Sequence, residues 1–155
     1  MVDLDELSGA SGAYFQFQSG ITATYGSAQT AVDLYNAAYD YHDLHPDDSK
    51  LSLNDAGIEN GNDFDPHQTH NLGRSIDISY LDENGNPLHV GNLGVWRADD
   101  RRMQDLVRIF QENGFNQNYS DNNVNLGTLW APGHMNHIHF GKTLGLARCE
   151  IGPCR

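Results

Sequence analysis

Two short histidine-rich windows constrain this chain more than any other feature. The first runs from His67 through His70 to Asp77 and reads H-x2-H-x6-D; the second, His134-Met135-Asn136-His137-Ile138-His139, reads H-x2-H-x-H. Five of the eight histidines lie in these windows, and any fold has to account for that clustering. Neutral imidazole and carboxylate suit Zn²⁺, and a catalytic zinc site keeps three protein ligands and one open position for water. The pattern predicts a fold that brings the two windows together around Zn²⁺, as in a zinc hydrolase.

The spacings say how. An odd separation puts His70 and Asp77 on opposite sides of any one regular strand. Gly73 and the β-rich run after it argue against a helix. Asp77 is therefore expected on a strand and His70 on the bend before it, with Gly73 permitting the sharp path. His137 and His139 are two apart, so they share one face of a strand while Ile138 and Phe140 face the core. One histidine can then bind metal while its neighbour stands beside the open position. His42, His45 and His89 read as hydrogen-bonded core or surface residues.

The rest of the chain reads as an α+β domain: a small antiparallel sheet carrying the zinc site, flanked by two main helices and long loops. At 155 residues it has the length of one domain. Residues 1–26 are expected as an N-terminal arm or linker, 27–148 as the domain, and 149–155 as a tail. Ser27 and Pro46 bracket a helix over about 28–44, whose apolar positions are Ala31, Val32, Leu34, Tyr35, Ala38 and Tyr39. Residues 46–66 form a polar connector around Leu51-Ser52-Leu53, a short strand, and read as a solvated loop more readily than as a calcium site. Arg74 to Leu81 alternates as a half-buried strand. A turn at Asp82–Pro87 leads to a short return at Leu88-His89-Val90. Asp99 or Asp100 caps a second helix lined by Met103, Leu106, Val107 and Phe110 and ended by Asn113-Gly114. The last strand is expected at about 135–142. Trp130 is assigned to the core in preference to a cleft wall.

The net charge of −12 argues against nucleic acid, whose affinity rests on neutralising phosphates. No apolar run is long enough to cross a bilayer, so no membrane insertion is expected. The acidic first residues lack the basic and apolar regions of a signal peptide. Cys149 and Cys154 close a short loop, first read as a disulfide, with two free thiols as the alternative.

H-x6-D followed by a distant H-x-H resembles the metallopeptidase group containing lysostaphin-type enzymes, D-Ala-D-Ala peptidases and hedgehog domains. The flanking histidines narrow this: the two windows are similar to those of the penicillin-insensitive murein endopeptidases, whose family cleaves cross-bridge peptides of bacterial peptidoglycan. The likeness covers about Leu51 to Lys142. It implies His70, Asp77 and His139 as zinc ligands and His137 as catalytic base or transition-state partner. His67 and His134 would shape the site wall, with His134 a second candidate for handling the proton. Arg74, between two ligands, is read either as a fork for a substrate carboxylate or as an exposed strand residue.

The carboxypeptidase branch carries Glu where this chain has Asn136, which points away from D,D-carboxypeptidase activity. A chain shorter than the periplasmic endopeptidases, without their leader and extra cysteines, fits a secreted antibacterial effector or a phage lysin reaching the periplasm or wall without a Sec signal. The expected partners are peptidoglycan stem peptides. A toxin active on its maker's own wall would also need an immunity protein, and the acidic surface a delivery or targeting partner. A non-catalytic hedgehog-like zinc domain is the rival, and a metal-dependent nuclease ranks last.

Overall fold

The computed structural model describes residues 1–8, 14–62, 70–88, 97–121 and 126–143. His67, His89, Cys149 and Cys154 lie outside these residues. In chain order the elements are β1 (Val2–Asp3), α1 (Leu4–Ser8), β2 (Phe15–Phe17), β3 (Tyr25–Gly26), α2 (Ala28–Leu44), β4 (Leu51–Asp55), a 3₁₀ turn (Asn71–Gly73), β5 (Ser75–Ser79), α3 (Asp100–Glu112), β6 (Gln117–Ser120), β7 (Leu129–Trp130) and β8 (His137–Gly141).

Both main helices start where their caps place them. The Ser27 hydroxyl accepts from the Thr30 amide at 3.0 Å, and Asp99 accepts from the Arg102 amide at 2.8 Å. Each satisfies a backbone donor that the first helical turn leaves open. Helix α3 buries Met103, Leu106, Val107, Ile109 and Phe110, the expected face widened by one residue. On α2 the buried stripe is Thr30, Ala31, Leu34, Ala37, Ala38 and Tyr41, while Val32, Tyr35 and Tyr39 are exposed. The apolar spacing fits two adjacent stripes, and the one with three alanines allows the closer approach to the core. Tyr35 and Tyr39 instead pack edge-on against Tyr14 at 6.3 and 5.4 Å.

The sheet is larger than the small antiparallel one expected, and it is mixed. Six strands lie in the order β2-β4-β5-β8-β6-β7. The middle pairs are antiparallel, while β2 runs parallel to β4 and β7 parallel to β6. These outer strands are too short to show an alternating pattern, and β2 pairs with a segment distant in sequence, Phe15 opposite Leu51. The stretch expected as an N-terminal arm is part of this fold where it is described. Leu4 and Phe15 are fully buried, β2 edges the main sheet, and β1 pairs with β3 in a second, two-stranded sheet.

Strict register sorts the central strands into two faces. Ile76 and Ile78 pair with Phe140 and Ile138 and join both main helices in the core. Ser75, Asp77 and Ser79 pair with Gly141, His139 and His137 and form the polar face. Strand β5 is buried throughout and not half-buried as its alternation implied, because the polar face has its own cover. On that face Gln18 donates to Ser79 at 3.0 Å, and Ser79 donates to Asn54 at 2.8 Å. A register shift between Leu53 and Asp55 marks a bulge in β4, a common device for re-aiming side chains near a site. In the polar connector, Asp48 is buried and accepts from Tyr41 at 2.8 Å and from the Arg102 guanidinium at 2.9 and 3.1 Å. It ties the end of α2 to the start of α3.

Candidate metal centre

His70, Asp77 and His139 converge as expected. Each offers one donor atom, and the three donors lie within 4.8 Å of one another. All three residues are at most 2 % exposed. Asp77 and His139 are direct partners across β5 and β8, and Asp77 Oδ1 lies 2.9 Å from His139 Nδ1 and 3.2 Å from His70 Nε2.

His70 reaches this point from the turn before β5. There Leu72 takes φ 55 and ψ 17, a left-handed conformation costing about 1–2 kcal/mol for a residue with a Cβ. Gly73 follows at φ +58, and a Cβ there would meet the Ser27 amide nitrogen at 2.7 Å. Only glycine lets the turn dock this closely, and the Gly73 carbonyl accepts from the Ser27 amide at 2.8 Å. At the other end of the site, a Cβ on Gly141 would stand 2.9 Å from the Gln117 carbonyl oxygen and 3.1 Å from His139 Nε2. A larger residue there would press on the His139 ring.

The donor set fits a metal ion. His70 donates through Nδ1 to the Ala56 carbonyl, which fixes the tautomer and directs the Nε2 lone pair inward, the arrangement typical of metal-binding histidines. Burial alone would push the Asp77 carboxyl upward. The charges of His137 and His70 and hydrogen bonds from His139 and His70 outweigh it and hold Asp77 well below the usual carboxylate range. Burial also disfavours the His70 imidazolium, but the Asp77 charge and hydrogen bond raise His70 overall. His139 is lowered, with burial dominant over the opposing contact to Asp77.

These directions fix a pH dependence. Metal uptake requires the proton to leave His70 Nε2, so affinity rises with pH until the raised His70 pKa is passed. On the acid side it should fall about tenfold per pH unit for one released proton. His139, lowered, stays neutral further into acid and adds its own loss later. Competition titration against a chromophoric chelator at stepped pH measures this; a flat profile through mild acid contradicts it.

No family model matches the chain, and no curated protein matches it. His137 lies beside the triad, Nε2 at 3.4 Å from Asp77 Oδ2 with the side chain 12 % exposed, and it donates through Nδ1 to Asn136 Oδ1 at 2.9 Å. The His134 ring lies 4.9 Å from that of His137, tilted by 55°, and donates through Nδ1 to the Ala131 carbonyl at 3.1 Å. The His134 carbonyl accepts from the buried Tyr80 hydroxyl at 2.9 Å. The structure thus groups five of the proposed residues.

Arg74 is partly buried at the end of the His70 turn, and its carbonyl accepts from the Lys142 amide at 3.2 Å. Trp130, assigned to the core, is 64 % exposed; it sits on the edge strand β7 and donates to Asp121 at 3.1 Å. Sequence reasoning missed three contributors. Ala56 acts through its backbone and leaves no side-chain signal. Asn136 could have been found as the neighbour of His137, and Tyr119 only through its register with His139.

Proposed function

We propose that the protein is a zinc-dependent peptidoglycan hydrolase that cleaves peptide cross-links of the bacterial wall as a D,D-endopeptidase. The observation that carries the reading is a buried His-Asp-His donor set with a partly exposed histidine, His137, against its carboxylate. A purely structural metal site has no use for a proton-handling neighbour. Zinc held by His70, Asp77 and His139 would lower the pKa of a bound water and polarise the scissile carbonyl.

The protein's own groups do the rest. With Nδ1 committed to Asn136, His137 presents Nε2 to accept the proton of the attacking water and pass it to the leaving amine. An imidazole suits both directions of transfer near neutrality. His134, held by Ala131, narrows the same wall. His67 and Arg74 are assigned to the substrate arms, Arg74 as a fork for a stem-peptide carboxylate. Delivery as an antibacterial effector or phage lysin fits this substrate, with an immunity or delivery protein as partner. Among the described residues no helix is long and apolar enough to cross a membrane.

The test is the muropeptide profile of purified sacculi treated with zinc-loaded protein, against a chelated control. Zinc-dependent loss of cross-linked dimers with a rise in tetrapeptide monomers is the expected result. Loss of terminal D-Ala with dimers intact would make it a D,D-carboxypeptidase. An unchanged profile on both Lys-type and diaminopimelate-type walls would remove the hydrolase reading and favour a zinc domain that binds a partner.

A further inference from the structure

The β6 flank of the metal centre carries two polar side chains outside the ligand set. Tyr119 pairs directly with His139 across β6 and β8, and cross-strand partners share a face. Its ring stands 5.6 Å from that of His139 and 6.2 Å from that of His134, partly open to solvent. The Gln117 amide donates to the Tyr119 hydroxyl oxygen at 2.6 Å. That bond orients the ring, fills one acceptor position of the phenol, and leaves the phenol proton to donate elsewhere.

Two buried tyrosines behave differently: Tyr41 donates to Asp48 at 2.8 Å and Tyr80 to the His134 carbonyl at 2.9 Å. Among the described residues the Tyr119 O–H has no acceptor. Leu129 pairs with Tyr119 on the far side and is 60 % exposed. Asp77, His139, Tyr119 and Leu129 thus form one row across four strands: two ligands, a hydrogen-bond donor, then an apolar surface. Strands lie about 4.8 Å apart, so the row beyond His139 spans about 10 Å, the reach of about three residues of extended peptide.

We propose that Tyr119 and Gln117 form a substrate subsite, in which the phenol donates to a backbone carbonyl of a peptide lying across β6 and Leu129 walls the adjoining side chain. The inference rests on the peptidase reading and assigns this flank to one arm of the substrate. Neutral donors suit an amide carbonyl, which needs no compensating cation in a chain of net charge −12.

The test uses zinc-loaded protein and a soluble cross-linked muropeptide dimer. Binding is measured by calorimetry in the turnover-deficient His137→Ala background, with and without Tyr119→Phe, and KM and kcat are measured in the otherwise native chain. Tyr119→Phe keeps the ring and removes only the O–H. It should weaken binding and raise KM about tenfold, the scale of one good hydrogen bond, with zinc content unchanged and kcat within a few fold. Cleavage by the parent together with undiminished binding by Tyr119→Phe would overturn the subsite and leave the peptidase reading standing. A parent that neither binds nor cleaves the dimer would overturn both.

Discussion

His139→Ala is expected to lose its metal. His139 supplies one of three donors within 4.8 Å of one another, and its Nδ1 faces Asp77 Oδ1 at 2.9 Å. With a metal bound that nitrogen's lone pair would be on the ion, so the substitution removes a ligand outright. Losing an outer hydrogen-bond partner alone weakens metal sites by about 10–100-fold, so loss of a ligand should exceed about a hundredfold and take hydrolysis with it. The fold should persist, because the opposite face of β8 is held by Ile138 and Phe140, both fully buried. Metal analysis after gel filtration, with circular dichroism as the folding control, decides the matter. A folded His139→Ala chain that still carries stoichiometric metal would show that the ion sits elsewhere.

His137→Ala should separate the two roles. Its Nε2 approaches the Asp77 oxygen that His139 and His70 do not use, so the donor set survives its removal. Metal content and affinity should stay within a few fold of the parent. Turnover should fall by about 10²–10⁴, the usual contribution of a positioned acid-base group. Dimer cleavage followed by chromatography, at matched zinc occupancy, gives the measurement. Near-normal turnover would take His137 out of the mechanism. Loss of metal alongside activity would make it a ligand in its own right.

Much of the site was legible because its signals are local. The strand through Asp77 announced itself by alternation, the two helices by Ser27, Asp99 and Gly114, and the shared face of His137 and His139 by their separation of two. The bend at Gly73 followed from the conflict between an odd interval and a β-rich run. What escaped depends on distant pairing or on backbone. The parallel neighbours β2 and β7 join segments whose own patterns are two or three residues long. Alternation in Ser75–Ser79 told which residues share a face, and nothing in it told that the polar face would also be covered. Spacing put Tyr35 among the apolar positions of α2 and residue type put Trp130 in the core, whereas one lies on the outer side of the helix and the other on the edge of the sheet.

The three candidate ligands come from separate parts of the chain, Asp77 and His139 on paired central strands and His70 on a turn docked against the start of α2. An unfolded chain holds no such constellation, so an ion bound there would favour the native state, and its uptake and folding would form one linked equilibrium. Free metal at a hundred times its dissociation constant then adds about 2.7 kcal/mol to stability. The thermal midpoint should climb with metal concentration and return on chelation, which makes resistance to heat a gauge of occupancy that needs no substrate.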